Sequence, residues 1–190
     1  MAVTLTAGDL RKGLKIELDG EPYLITDFEF SKPGKGQALY RCKLKNMITG
    51  NQFDRTYRSG EKFTSADLEE QQMQYLYAAG DSYHFMNTSS YEQIEMNAVQ
   101  VGEASNFLTE NLEVAVLMFQ NRPIGITLPN FVTLRITQSD PGMKGDTASG
   151  ATKPATLETG YLIQVPLFVE EGELVRIDTR TGSYVERVKA

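Results

Sequence analysis

Phe30-Ser31-Lys32-Pro33-Gly34-Lys35-Gly36-Gln37-Ala38 separates two runs that read as β-strands, residues 23–30 and 38–45. Gly34 and Gly36 bracket Lys35, and Pro33 stiffens one arm of the loop. Glycine allows positive φ and close approach of another molecule. A loop of this kind presents one long cation at its tip with little bulk beside it. Lys35 is therefore favoured over Lys32 as the working residue, because it alone lies between the two glycines. Taken by itself, the same loop is also what an ordinary solvated hairpin tip looks like. It is not a phosphate-binding P-loop: Gly-Lys-Ser and Gly-Lys-Thr are absent, and strands rather than a helix flank it.

Working outward, side chains in a strand alternate between faces. Tyr40, Cys42 and Leu44 share an apolar face with Ala38, whereas Arg41, Lys43 and Lys45 share the other. The second set is either a solvated strand face or a cationic stripe behind the loop. Residues 14–18 alternate and end at Asp19-Gly20, a hairpin-turn pair. Thr49-Gly50 marks another turn before a strand over 52–57. Short strands at this spacing predict a small barrel or sandwich.

Charge divides the chain. The 190 residues carry a net charge of −6. Residues 1–65 hold 11 Lys+Arg against 8 Asp+Glu, a net of +3; residues 66–128 hold 1 against 9, a net of −8; residues 129–190 hold 7 against 8, a net of −1. The cationic part is the part that carries the loop, which predicts that this end faces a polyanion. One cysteine, Cys42, excludes an internal disulfide, and one histidine, His84, leaves no zinc set. No signal-like or membrane-spanning apolar run is present, so the expectation is a cytoplasmic protein without membrane association. No constellation of nucleophile, base and metal ligands marks an enzyme, and no cofactor motif is seen.

The middle part predicts a helical turn over 65–72, a hairpin of residues 73–77 and 82–86, and then a helix. For the helix, Ser89 and Glu92 form a capping-box pattern, Tyr91, Ile94, Ala98 and Val101 share one helical face, and Gly102 ends it. A short helical turn over 104–108 and strands over 112–119 and 126–128 follow, with the intervening turn over 120–125. The last part predicts strands over 131–137, 161–169, 173–178 and 183–188, and a polar loop over 139–154 long enough to be functional. The expected architecture is all-β: domains 1–65, 66–128 and 129–190, each a small barrel of about 60 residues and individually marginal in stability.

The stretch Lys32-Pro33-Gly34-Lys35-Gly36-Gln37-Ala38 resembles the loop of bacterial elongation factor P, of the lysine type. Asp140-Pro-Gly-Met-Lys-Gly-Asp-Thr147, Lys153-Pro-Ala-Thr-Leu-Glu-Thr-Gly160, Val165-Pro-Leu-Phe-Val169 and Asp178-Thr-Arg-Thr-Gly-Ser-Tyr-Val185 resemble that family's third domain. Tyr75-Leu-Tyr77 and Phe85-Met86 resemble its second. The resemblance covers essentially the full chain in order. It implies an SH3-like (KOW-like) N-terminal barrel and two OB-type barrels in an L-shaped, tRNA-like arrangement. It further implies a monomeric translation factor that binds the 70S ribosome (rRNA) beside the peptidyl-tRNA and relieves stalling at consecutive prolines. The Lys35 loop would point at the CCA end, and a lysine-modifying enzyme would extend Lys35, for example by β-lysylation. On the same grounds Lys32, Pro33, Gly34, Gly36, Arg41, Lys43 and Lys45 would lie against RNA. So would Gly145, Asp146 and Thr147 near the exit-site codon, and Tyr184 and Arg187 of the third domain. Two alternatives stay open: a paralogue of different task, and a generic OB-type RNA-binding module.

Overall fold

The computed structural model describes residues 1–142 and 150–189. Its described residues form three antiparallel sheets of six, five and five strands, the all-β architecture expected. The chain divides into two compact units. One comprises Met1–Gln71, Met96–Val101 and Val116–Ile126; the other comprises Gln72–Glu95, Gly102–Ala115 and Thr127–Ala190.

The first sheet contains β1 (Thr4–Thr6), β2 (Lys15–Leu18), β3 (Glu21–Ser31), β4 (Leu39–Asn46), β5 (Gln52–Arg58) and β6 (Lys62–Ser65), in the order β1-β6-β2-β3-β4-β5. Asp19 and Gly20 both take positive φ, 51° and 78°, and close the β2–β3 hairpin at Leu18↔Glu21. That is the geometry whose twist matches a right-handed hairpin. Asn46 builds the next turn: its side-chain oxygen accepts the N–H groups of Ile48 and Thr49, and its amide donates to Glu21 at 2.6 Å. Ile16, Ile25, Cys42 and Leu44 are fully buried, with Tyr57 and Phe63 beside them. The apolar face expected of β4 is therefore the core face. β1 and β6 had no clear signal in the sequence, since Thr4↔Thr64 pairing joins residues 60 apart.

The second sheet contains β7 (Leu68–Ala79), β8 (Ser82–Asn87), β9 (Gln93–Asn97), β10 (Glu113–Phe119) and β11 (Arg122–Thr127), in the order β11-β10-β7-β8-β9. Two expectations fail here. The helical turn over 65–72 is absent, because Leu68 already begins β7, an interior strand paired on both sides. The helix from Ser89 is also absent. The Asn87 side chain instead captures the N–H groups of Ser89 and Ser90, Tyr91 turns left-handed at φ 62°, and the chain returns as β9. Met96, off the expected helical face, is the residue that becomes fully buried. A capping box does exist, eight residues later: Asn97 and Gln100 exchange side-chain bonds with each other's backbone N–H and start the short helix α1 (Ala98–Val101). The turn after β10 is tighter than expected. It is made by Gln120 and Asn121, both at positive φ, and β11 begins at Arg122. Pro123 is tolerated because β11 is an edge strand.

The third sheet contains β12 (Phe131–Ser139), β13 (Thr152–Leu157), β14 (Leu162–Pro166), β15 (Leu174–Asp178) and β16 (Ser183–Val188), in the order β14-β13-β12-β15-β16. Val132, Leu134 and Ile136 point inward as their spacing predicted, against Leu157, Val165, Val175 and Ile177. Phe107, at the end of a 3₁₀ segment (Gly102–Phe107), joins this core and meets Tyr161 edge-on at 5.4 Å. The Thr159 hydroxyl donates to the Asn106 carbonyl at 2.6 Å. A barrel this small thus gains apolar area from a neighbouring segment. At the strand entry, Phe131 lies against the guanidinium groups of Arg176 (4.2 Å) and Arg180 (5.5 Å). Arg180 also grips Asp178 through two bonds, which holds that carboxyl below its ordinary pKa.

The segment following β12 is fastened at three points. The Ser139 N–H donates to Glu171, the buried Lys153 ammonium donates to the Asp140 carbonyl at 2.6 Å, and Gly142 packs on Leu167. A Cβ on Gly142 would stand 2.8 Å from the Leu167 carbonyl oxygen, a backbone atom that cannot swing aside. Gly142→Ala is therefore expected to destabilise the chain by about 1–3 kcal/mol in urea unfolding. An unchanged midpoint would show that this segment shifts freely.

Candidate nucleic-acid interface

The loop rises from a strand pair. β3 and β4 pair from Tyr23↔Asn46 to Ser31↔Leu39, leaving residues 32–38 as the connection. A bulge at Thr26, whose hydroxyl donates to the Lys43 carbonyl, falls partway along the pair. Bulges add local twist to a ladder. Beyond it, Phe30 meets Tyr40 at 5.1 Å and Phe28 meets Tyr40 at 6.2 Å, while Tyr40 stands opposite Tyr57 of β5. Cross-strand aromatic pairs contribute about 0.5–1 kcal/mol each beyond area. They hold the arm straight just below the loop. Phe28 and Phe30 lie two residues apart on β3, and strand register sets Tyr40 as their partner.

Residues 32–37 are all exposed. Lys32 and Lys35 make no hydrogen bond or ion pair with any described residue, so both ammonium groups are free to meet another molecule. Neither Gly34 nor Gly36 uses the positive φ that glycine permits. A Cβ on Gly34 would meet nothing, and one on Gly36 would sit 3.4 Å from the Pro33 ring. What the glycines contribute in this conformation is missing bulk on either side of Lys35.

The stripe is less cationic than its sequence spacing implied. Arg41 and Lys43 are exposed and Lys45 is half-buried. Register places Glu29 opposite Arg41, and puts Lys43 between Asp27 on β3 and Asp54 on β5. Directly opposed residues share a face, so carboxylates interleave the cations. Arg41 reaches Glu29 at 3.8 Å with both side chains largely exposed, a geometry contributing little to stability. The behaviour of this face toward a polyanion is thus close to neutral, and the net positive charge of this part is concentrated at the tip.

Cys42 lies on the opposite, core-facing side, and burial pushes its thiol pKa up. His84 stacks on its cross-strand neighbour Tyr77 at 4.5 Å. Among the described residues, no group of three His, Cys, Asp or Glu gathers to hold a metal ion, and no helix is long and apolar enough to cross a membrane.

On the third sheet, Gly145, Asp146 and Thr147 lie outside the described residues. Tyr184 and Arg187 fall on the edge strand β16, opposite Ile177 and Val175. Tyr184 is half-buried against the core, and burial raises its phenol pKa. Arg187 is exposed, pairs with Glu173 at 3.2 Å, and lies over the exposed Phe168 ring at 4.7 Å.

Residues 6–63 match the family description "Elongation factor P (EF-P) KOW-like domain", residues 68–126 match "Elongation factor P (EF-P) OB domain", and residues 132–187 match "Elongation factor P, C-terminal". The chain is 63% identical over 184 residues to "Elongation factor P" of Syntrophus aciditrophicus (strain SB), covering 97% of this chain and 98% of that one. It is 64% identical over 182 residues to "Elongation factor P" of Desulforapulum autotrophicum, covering 96% and 97%. It is 60% identical over 184 residues to "Elongation factor P 2" of Geobacter sulfurreducens, covering 97% and 98%. Among solved structures, the eukaryotic translation initiation factor 5A from Methanococcus jannaschii superposes with a TM-score of 0.54 at 24% identity, covering 67% of this chain and 95% of that one; this is a likeness of fold.

The buried thiol supplies a check on the strand faces. Thiol reagents attack the thiolate, and only where they can reach it. Native Cys42 is expected to react at least roughly tenfold slower at pH 8 than in denaturant, followed by absorbance of the released thiol reagent. Equally fast labelling of the native chain would place Cys42 at the surface and reverse the β4 faces.

Proposed function

Because this chain belongs to the elongation factor P family of translation elongation factors, we propose that it binds the ribosome beside the peptidyl-tRNA and promotes peptide-bond formation at consecutive prolines. The observation that carries this reading is the placement of Lys35: exposed, without a partner among the described residues, at the end of a strand-paired arm.

The chemistry follows from what the stalled reaction lacks. Proline is a constrained secondary amine, and its ring fixes φ in the growing chain. The reactants sit together but poorly aligned. Correct alignment of bound reactants can lower a barrier by several kcal/mol without any new acid or base. The Lys35 ammonium is a compact charge on a flexible four-carbon stem, suited to the phosphates and hydroxyls of the CCA end. It steadies the tRNA and takes no proton from the reaction. In this reading the factor is an accessory to ribosomal catalysis. Its domains are the three stretches 1–65, 66–128 and 129–190, and the matched spans fall inside them.

The free amine is also open to a modifying enzyme. An extension carrying another amine would lengthen the reach of the tip while keeping its charge. Pro33 and the two glycines leave room around it, and Lys32 supplies a second cation to the approach. Arg41, Lys43 and Lys45, interleaved with carboxylates, contribute less to RNA affinity than their number implies. Gly145, Asp146 and Thr147 would approach the messenger side, with Arg187 binding phosphate and Tyr184 stacking on RNA.

Lys35→Ala is expected to melt at the wild-type temperature, since the exposed side chain makes no hydrogen bond or ion pair with any described residue. In reconstituted translation it should lower synthesis through a polyproline stretch to the level without factor. Full relief of stalling by that variant would refute the role of Lys35. The intact mass of the protein purified from its native host reads the modification directly: a mass equal to the bare sequence would show an unmodified lysine.

A further inference from the structure

Arg135, Arg187 and Lys189 line one groove of about 580 Å³ with Gly172, Glu173, Leu174 and Val188. The charged lining is three cations against a single carboxylate, a local surplus of two positive charges in a chain of net −6. Each arginine is anchored by one nitrogen and keeps other donors free. Arg135 donates from one guanidinium nitrogen to the Gly172 carbonyl at 2.5 Å. Arg187 donates from one nitrogen to Glu173 at 3.2 Å and lies over Phe168. Guanidinium groups held in this way lose little further side-chain entropy when they bind an anion. Lys189 is exposed and unpartnered among the described residues.

Two other clefts show that this surplus is not general. The cleft lined by Lys153 contains Asp140, Glu170 and Glu171 as well, and the Lys153 ammonium is already spent on the Asp140 carbonyl. A third cleft is lined by Glu17, Asp67 and Glu69 without a cation. Both would repel a phosphate, and the first groove would attract one.

We propose that Arg135, Arg187 and Lys189 form a cradle for a phosphodiester of an RNA backbone, with Arg135 and Lys189 as additional contacts beside Arg187. The inference rests on the reading of this chain as a ribosome-binding factor. It adds a sequence-independent electrostatic contact, in which each phosphate neutralised releases condensed counterions. Arg135 lies on β12 and the other two on and after β16, so the cradle exists only once β15 has paired with both strands.

The test measures ribosome binding as a function of salt for the wild type, R135Q, R135K and R135Q/K189Q, with thermal melting of each. The double variant is expected to flatten the log affinity versus log salt slope by about 0.7, the amount for one phosphate no longer neutralised. R135K, which keeps the charge, should retain the wild-type slope. Unchanged slopes with intact wild-type binding would overturn the cradle and leave the proposed function standing. In parallel, a single-stranded RNA oligonucleotide and inorganic phosphate are titrated into the full chain and followed by backbone amide shifts. RNA should move the amides of Gly172, Leu174 and Val188 at lower concentration than phosphate, and R135Q/K189Q should abolish this. Equal response to both would make the groove a free-anion site and overturn the backbone assignment. If the wild type binds no ribosome, the proposed function falls, and the oligonucleotide titration alone decides the cradle: shifts lost in the variant support it, and absent shifts overturn it.

Discussion

Eight residue pairs hold β3 against β4, and the last of them lies immediately below the exposed loop. A cation on a flexible loop is a weak positioning device, because its own freedom must be lost on binding. Pairing the backbone up to Ser31↔Leu39, and stacking Phe28, Phe30 and Tyr40 beside it, removes most of that freedom in advance. Below the arm, Ile25 and Cys42 are buried in the same sheet. The strands that carry the tip are thus the strands that carry the core. Placement of Lys35 and stability of the first sheet depend on one set of backbone bonds.

Charge is distributed by the same logic. The first 65 residues carry a net of +3, but the strand faces below the loop mix Arg41 and Lys43 with Asp27, Glu29 and Asp54. Interleaving like this weakens the field of any one face, since opposite charges across a ladder lie close together. Lys32 and Lys35, beyond the end of the ladder, have no such neighbours. Lys32 and Lys35 thus carry charge that no cross-strand carboxylate offsets. In the third sheet, the groove of Arg135, Arg187 and Lys189 follows a comparable pattern, with guanidinium groups anchored by one contact and open at the rest.

Much of this was legible beforehand. Period-two alternation placed Cys42 and Leu44 inside and Arg41 and Lys43 outside, and Val132, Leu134 and Ile136 inside on β12. Asp19-Gly20 marked its hairpin correctly, because the dipeptide tolerates two positive φ angles at once. The helix expected from Ser89 failed for an equally local reason. Its apolar spacing suited a helix, but Asn87 satisfied the N–H groups of Ser89 and Ser90 and turned the chain back. Hydrophobic spacing alone does not reveal which side chain will take a backbone donor. The glycines beside Lys35 show the converse: their presence was plain, but their φ was not.

The amino-acid sequence by itself determined the all-β class, the exposed Pro33-Gly34-Lys35-Gly36 loop and its family, since these rest on neighbours in the chain: alternation, turn pairs and contiguous motifs. Only the tertiary structure decided which residues stand opposite one another. Register set Glu29 against Arg41 and Asp54 against Lys43 and joined β1 to β6, while packing beyond the ladders brought Phe107 into the core around Leu134 and gathered Arg135, Arg187 and Lys189 along one groove. The physical reason is that strand pairing joins residues far apart in the chain. A shift of a single residue would turn every side chain to the opposite face, so the charge pattern of a sheet is a property of its register.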